Sequence, residues 1–450
     1  MRAGLKSASR LLRPGLGLKR WLATLLLGLI VLGLGLGLFL GELLAENAAV
    51  RQSFFQSWPH WSMGVFLGVA GVGLVVFGIY QLNKILLEAF LPENATVAYV
   101  AEQVYHRQRR RRQGPKVVAI GGGTGLSVLL RGLKHHTDNI TAVVTVADDG
   151  GSSGKLRREL GVLPPGDFRN CIAALADDEA LMTQLFQYRF RSGQGLEGHS
   201  FGNLFITALA AVTGSFEKAL SESGRVLIIR GAILPSTLDD VTLFAELDEG
   251  VGTRKVEGES AIPIAKLPID RVYLQPDEPH AFPPAIQAIL NADLIVAGPG
   301  SLYTSIIPNL LVADIVKAIR ASAARKIYIC NVATQPGETD GYSVDDHLEA
   351  IEAHTRVIDN RLAEMEGEGD ISSMQAPARS YLFDHALANN NQAHPIPTSM
   401  NLQPVPLTAS SERGYTVIAA DVVDELHPWR HDSFKLANEL MAWYNVASSK

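Results

Sequence analysis

Apolar positions fall along this chain in contrasting regimes. Two uninterrupted apolar runs come first, at 21–44 and 61–82, separated by a short polar loop holding Arg51, Gln52, Pro59 and His60. Each run reaches the ~20 residues that a helix needs to cross a hydrocarbon core of ~30 Å. Together they predict a transmembrane helical hairpin over 21–82. A cleaved signal peptide is disfavoured, because the first run is long for its apolar segment and a second follows at once. Glycines recur every fourth residue, at Gly33, Gly37 and Gly41 in the first run and at Gly64 and Gly68 in the second. That spacing predicts one face on which two backbones approach closely.

From Lys116 onward the pattern changes to short apolar strands alternating with helical periodicity. Strands are predicted at 116–120, 141–147, 293–297, 326–332 and 415–420, and helices at 126–134, 167–177, 179–190, 201–213, 215–223 and 432–443. Strand, loop and helix in repetition predict an α/β domain with a mostly parallel sheet and helices on both faces. The stretch 224–282 reads instead as short strands at 225–229, 241–247, 253–257 and 271–274, a β-rich insertion. Polar composition at 361–380 and 388–413 predicts a mobile segment, 361–413. The organisation is therefore a basic N-terminus (1–20), the hairpin (21–82), a basic juxtamembrane linker (83–115) and a large domain (116–450).

Charge orients this arrangement. Arg2, Lys6, Arg10, Arg13, Lys19 and Arg20 precede the first run, and Arg107, Arg109, Arg110, Arg111, Arg112 and Lys116 follow the second, against Arg51 in the loop between. The positive-inside rule places both termini and the large domain in the cytoplasm of a multi-pass cell-membrane protein. The 107–112 cluster either rests near an anionic leaflet or serves as a solvated linker. A net charge of −6 gives no support for a nucleic-acid partner. Cys171 and Cys330 lie in apolar stretches, which predicts reduced, buried thiols.

Candidate chemistry gathers where strands end, which is where parallel sheets bind ligands. Gly122, Gly123, Thr124 and Gly125 open a helix after the first strand, exposing backbone N–H groups to an anion. Leu126 stands where a dinucleotide fingerprint needs its third glycine, and no Lys-Ser/Thr pair makes the turn a P-loop. After the second strand come Asp148 and Asp149, suited to ribose or sugar hydroxyls or to Mg²⁺, with Ser152 and Ser153 beyond them. Asp167, Arg169 and Asn170 open the next helix, where Asp167 also fits a capping role. His199 and Asn203 sit at another helix entry. Gly298, Gly300, Ser301, Tyr303 and Thr304 have the composition of an anion cradle, with Tyr303 placed to stack on a base or to pack. Asn331 and Thr334 follow the strand at 326–332.

Six of these segments in order, VVAIGGGTGLSVLLRGLK, TAVVTVADDGGSSGKLR, PPGDFRN, GHSFGNL, GPGSLYTSIIPNLL and YICNVATQPGETDGYS, resemble the gluconeogenesis factor family. Its members are uridine-diphosphate-sugar-binding proteins related to 2-phospho-lactate transferase. The likeness spans 116–358 and returns at 415–440, including Arg430-His431-Asp432. It implies a Rossmann-like core, a UDP-sugar ligand, and a regulatory role in cell shape and cell-wall precursor supply during gluconeogenic growth. The alternative it implies is a Mg²⁺-dependent transferase acting on a nucleotide-diphosphate-linked substrate; a third reading, a nicotinamide dehydrogenase, is weak. Catalytic residues stay unassigned and self-association stays open. The two apolar runs and the polar segment 361–413 depart from the family's typical soluble members.

The charge pattern makes a direct prediction. A cysteine placed in the 45–60 loop should react with an impermeant thiol reagent on intact cells. Labelling seen only after permeabilisation would reverse the topology.

Overall fold

The computed structural model describes residues 18–44, 60–90, 114–176, 180–365, 381–407 and 414–448. The chain divides into two compact units, Met1–Arg107 and Gln108–Lys450. The basic stretches 1–17 and 107–112, the 45–59 loop and residues 366–380 and 408–413 lie outside the described residues.

The first unit pairs helices α1 (Leu18–Leu44) and α2 (His60–Phe90), so α2 runs past residue 82 into the stretch expected as linker. Each contains a 21-residue window, Arg20–Leu40 and Ser62–Leu82, long and apolar enough to cross a membrane. Phe66 and Val69 point outward and are about 70% exposed (73% and 70%), as a lipid-facing surface would be. The glycines that bring the helices together are not the set spaced by four. A Cβ on Gly35 would lie 2.7 Å from the Gly68 nitrogen, one on Gly71 2.6 Å from the Leu32 nitrogen, and Gly28, Gly64 and Gly78 are also in tight contact, whereas Gly33, Gly37 and Gly68 would meet nothing within 4 Å. The interfacial glycines recur every seventh residue, the period at which two helices keep one seam facing. Spacing by four drifts off that seam.

The second unit is built on a seven-stranded sheet ordered β10–β9–β8–β7–β1–β2–β3. Its strands are β1 (Val117–Gly121), β2 (Ile140–Val144), β3 (Ala232–Pro235), β7 (Leu294–Ala297), β8 (Arg325–Ile329), β9 (His385–Asn389) and β10 (Thr416–Ala420). Every pairing is parallel. Every residue of β1 and β7 is buried, so side chains on both faces are covered, as expected for a sheet sandwiched by helices. The chain starts at β1, adds β2 and β3 on one side, then returns to place β7 on the other. β1 and β7 thus flank the point where strand order reverses, and a crevice opens beyond their carboxyl ends.

Helix α3 (Gly123–Leu133) follows β1, α4 (Gly151–Leu160) and α5 (Gly166–Leu175) follow β2, and α6 (Ala180–Gln187), α7 (Phe201–Thr213) and α8 (Phe216–Val226) lead to β3. The smaller antiparallel sheet β5–β4–β6 is inserted between β3 and β7. It comprises β4 (Thr242–Asp248), β5 (Thr253–Glu257) and β6 (Ile269–Gln275), and Phe244 stacks on Tyr273 beneath the Lys255 ammonium. Three expectations need correction. The strand read at 225–229 is the end of α8 and a turn, because Gly224 lets Ile229 fold back over it: Ile229 N–H donates to the Gly224 carbonyl at 3.0 Å. The loop read after residue 149 is helical from Gly151. The segment read as mobile holds β9, an inner strand whose Ala386, Leu387 and Ala388 are buried. Val405 is also buried there.

Between these lie α9 (Ile262–Ala265), α10 (Pro283–Leu290), a π-turn Leu302–Ile306 continuing into α11 (Ile307–Leu310), α12 (Ala313–Ala321) and α13 (Val344–Met365), which also enters the span read as mobile. The closing helix α14 (Ser433–Ser448) packs on α3. Cys171 and Cys330 are both free and buried.

At that last contact a Cβ on Gly132 would sit 1.9 Å from the Ser433 carbonyl oxygen and 2.6 Å from Ala437 Cβ. Gly132→Ala should therefore overpack the α3–α14 seam and destabilise the large unit by about 1–3 kcal/mol. Urea unfolding followed by circular dichroism reads this as a lower midpoint, and an unshifted midpoint would mean the seam yields.

Candidate functional site

The crevice is shaped by glycines whose missing side chains are required. Gly122, in extended conformation, precedes α3 and has no side chain to cap it; the Asp167 carboxylate takes the Gly123 N–H, which leaves the Thr124 and Gly125 N–H groups at the crevice. Gly123 has φ +63°, the left-handed region. A Cβ on Gly122 would lie 2.6 Å from Asp167 Oδ2, and one on Gly125 only 2.4 Å from the Pro299 carbonyl oxygen. The loops after β1 and β7 are therefore pressed together. Asn331, beyond β8, clamps the second loop through both amide atoms: Nδ2 donates to the Gly300 carbonyl at 2.8 Å and Oδ1 accepts the Gly300 N–H at 3.2 Å.

These loops line a cleft of about 440 Å³. Of the expected residues, Gly122, Gly123, Thr124, Gly125, Gly300, Ser301, Asn331 and Thr334 line it. Ser305, Gln335 and Glu338 line it as well: they stand in the glycine-bearing loops read after β7 and β8 but were not singled out as ligand residues. So do Trp429, Arg430 and His431, which the segment between β10 and α14 brings over the cleft; Arg430 and His431 lie where the family likeness returns, and Trp429 carried no signal of its own. The Arg430 guanidinium is exposed and has no hydrogen-bond or ion-pair partner among the described residues. Trp429 is half-buried beside it. Their signal was the same strand–loop–helix rule: Asp432 caps α14 by accepting the Phe434 and Lys435 N–H groups.

The loop after β7 departs from expectation. Gly298 turns behind the cleft with φ +83°, against the Ile329 carbonyl. Tyr303 is not a stacking surface: it is 2% exposed, shares a 2.8 Å hydrogen bond with the Tyr342 hydroxyl and packs edge-on against His354. Thr304 is buried and donates to Glu338 Oε1 at 3.2 Å, while Ser301 Oγ accepts from Gln335 Nε2 at 2.7 Å. The start of the 302–310 helix, expected to cradle a phosphate, thus faces the chain's own Glu338 carboxylate. Burial pushes that carboxyl up to about 7, opposed by the hydroxyls and N–H groups of 301–304.

On the other side of Gly122 lies an acidic group. Asp148 accepts the Gly150 N–H at 2.9 Å, and burial raises its pKa. Burial, then the Asp148 charge, push Asp167 to about 7. Burial, then Asp148 and Asp167, push Glu259 to about 8; this residue comes from the turn after β5, where no strand-end signal announces it. Asp149 is turned aside, its Oδ1 accepting the Ser260 N–H at 2.9 Å, which ties the insertion to the crevice. Ser153 supports Asp148. Ser152, His199 and Asn203 form a buried network, with Ser152 Oγ 2.9 Å from His199 Nδ1 and accepting from Asn203 Nδ2 at 3.0 Å. Arg169 donates to Ser200 Oγ at 2.6 Å and to Asn170 Oδ1 at 2.8 Å. Among the described residues no three carboxylates, imidazoles or thiolates converge as a metal cage. Asp148 and Asp167 still suit Mg²⁺, which takes one or two carboxylates and completes its shell with water and substrate phosphate.

Comparison with known proteins agrees with the fold. A family model described as 2-phospho-L-lactate transferase CofD matches residues 117–423. The "Putative gluconeogenesis factor" of Nostoc sp. is 45% identical over 446 residues, 97% of this chain and 92% of the relative. The "Gluconeogenesis factor" of Bacillus subtilis is 54% identical over 242 residues, 54% of this chain and 75% of the relative. A crystal structure of a UPF0052 family member from Bacillus halodurans is 42% identical, with a TM-score of 0.63, covering 73% of this chain and 99% of that one.

His431 gives the site a pH signature. It is buried and donates Nε2–H to the Cys330 carbonyl at 3.1 Å, and burial lowers its pKa from 6.5 to about 4. The native state keeps the ring neutral where the unfolded chain protonates it. The stability this contributes is complete above pH 6.5 and is lost as pH falls toward 4. His431→Gln should flatten the fall of the thermal midpoint across that window, and an unchanged slope would show that the ring titrates normally.

Proposed function

The chain belongs to the family of 2-phospho-L-lactate transferase CofD, among relatives named gluconeogenesis factor, and on that premise we propose that its cleft binds a nucleotide sugar of the UDP-sugar type. The observation that carries this reading is the pairing, across one cleft, of the Thr124 and Gly125 N–H groups at the start of α3 with Arg430, whose side chain has no partner among the described residues, and the half-buried Trp429. Backbone N–H groups and a guanidinium suit a diphosphate. An indole suits a flat base or a sugar face. The carboxyl of Glu338 suits a hydroxyl or N–H group, with the Asn331 and Gln335 amides holding the wall of the cleft in place. In this reading the protein is a ligand-binding regulator that acts on cell shape and cell-wall precursor supply under gluconeogenic growth. The two apolar helices tether it to the cell membrane, with both termini and the large unit in the cytoplasm.

The acidic group favours a second reading, a Mg²⁺-dependent transferase of the 2-phospho-lactate type. Asp148 and Asp167 would hold the ion, which would neutralise diphosphate charge when bound. The chain's own part would be to fix the diphosphate on the Thr124 and Gly125 N–H groups and Arg430, to hold Asp167 through the Gly123 N–H, and to keep Asp148 oriented through Gly150 and Ser153.

Calorimetry of the full-length chain with a panel of nucleotide sugars, with and without Mg²⁺, tests both. Arg430→Ala should weaken nucleotide-sugar binding about tenfold or more, from the loss of a charge-assisted hydrogen bond, with the circular dichroism unchanged. Wild-type affinity in this variant would move the diphosphate elsewhere. Dependence on Mg²⁺ that disappears in Asp148→Asn, together with turnover of a nucleotide-diphosphate-linked substrate, would select the transferase.

A further inference from the structure

Glu338 is the carboxylate among the cleft-lining residues, and it is placed at cost. It is 7% exposed. Its carboxyl is approached by the Ser301 and Thr304 hydroxyls and the Tyr303 and Thr304 N–H groups, with Thr304 Oγ1 donating to Oε1, while Oε2 is buried with no hydrogen-bond partner among the described residues. A buried carboxyl oxygen left unpaired is unfavourable whichever way the group is protonated, so Oε2 calls for a partner that the free protein does not supply. The neighbours are already committed. The Gln335 amide is spent at both ends, its Nε2 donating to Ser301 Oγ at 2.7 Å and its oxygen accepting from Asn331 Nδ2 at 3.2 Å, and the Asn331 amide is held by Gly300. The residue is also held in place by its backbone: Gly337, immediately before it, has φ +79° and packs so closely on Pro263 that a Cβ would lie 2.1 Å from the Pro263 carbonyl oxygen.

Charge sets the orientation of any ligand. A phosphate beside Glu338 would face a like charge in a desolvated setting, whereas Arg430 and the α3 N-terminus offer positive potential in the same cleft. We propose that Glu338 is a specificity-determining residue that accepts a hydrogen bond from a hydroxyl or N–H donor of the ligand, so that the ligand lies with its phosphates toward Arg430 and the α3 N-terminus and its donor-bearing end in the pocket of Ser301, Gln335 and Glu338. This rests on the nucleotide-sugar reading and names the subsite within it. The donor can come from the sugar hydroxyls or from the nucleoside, and the test separates the two.

The experiment is calorimetry of the full-length chain and its Glu338→Gln variant with UDP-glucose, UDP and inorganic pyrophosphate. Gln keeps the volume and an acceptor for Thr304 but presents an NH₂ group where the ligand's donor should point. The variant should stay folded by circular dichroism, bind UDP-glucose at least tenfold more weakly, and bind pyrophosphate no more weakly than wild type. Loss confined to UDP-glucose assigns the donor to the sugar, and equal loss for UDP assigns it to the nucleoside. Glu338→Ala should show the same ligand order, so a packing defect peculiar to Gln cannot mimic it. If the variants bind UDP-glucose as tightly as wild type or tighter, with pyrophosphate tightened too, the proposal is overturned and Glu338 is an internal occupant that phosphate displaces. If wild type binds pyrophosphate but neither nucleotide, or none of the three, the nucleotide-sugar reading falls and the subsite with it.

Discussion

Two loops that follow β1 and β7 meet because those strands are neighbours although far apart in sequence, and the rest of the site is arranged around that meeting. The contact is backbone to backbone, the Pro299 carbonyl filling the space where a side chain on Gly125 would stand. Asn331 locks the second loop by bonding both faces of Gly300, and so links the end of β8 into the same unit. With the two loops fixed, the N-terminus of α3 is held open toward the cleft. The segment 429–431 can then close over it from the far end of the sheet. Reversal of strand order thus does more than mark a crevice. It sets how close the crevice walls come.

Electrostatics divides that crevice into unlike regions. Burial raises the carboxyls of Asp148, Asp167 and Glu259, and neighbouring negative charge adds to it, from Asp149 at Asp148, from Asp148 at Asp167 and from both Asp148 and Asp167 at Glu259, so the acidic side favours protons or a cation. Glu338 occupies the helix start after β7, a position that composition alone assigns to a phosphate. Positive potential is left to the first turn of α3 and to Arg430. A ligand carrying both negative and hydrogen-bond-donating groups is the kind that such a division can orient, since each end is disfavoured at the other end's place.

How much of this could be read from the chain depended on how local each signal is. The parallel sheet was legible because buried strands such as β1 and β7 are continuous apolar runs, and glycine loops after strand ends carry their own meaning. β9 was not legible. It is five residues long, small and alanine-rich, and its strand state comes from pairing on both sides with β8 and β10. The strand expected at 225–229 failed for the opposite reason: an apolar run was taken up by a helix end folding over Gly224. Site residues followed the same division. The loops at 122–125 and 300–301 were found at their strand ends. Tyr303 had the composition of a stacking residue but is consumed by core packing, Asp149 is spent on the insertion, and Glu259 and Glu338 acquire their meaning from neighbours brought together only by the fold. In the hairpin, glycine was correctly read as the packing residue, but the period that counts is seven, which a count of nearest repeats overlooks.

The C-terminal closure of the cleft has a consequence for how the protein comes into being. Arg430 and Trp429 leave the ribosome long after Gly123, and α14, which must settle on Gly132, emerges later still. The apolar hairpin, α1 and α2, is made before the large unit. With the proposed tether and ligand, a growing chain would be committed to its location well before it could recognise anything, and recognition would switch on only once residues 429–448 had been made. A product broken off ahead of residue 429 would keep its address while lacking the guanidinium and indole of its receptor site, and so would take up room at its destination without responding to ligand.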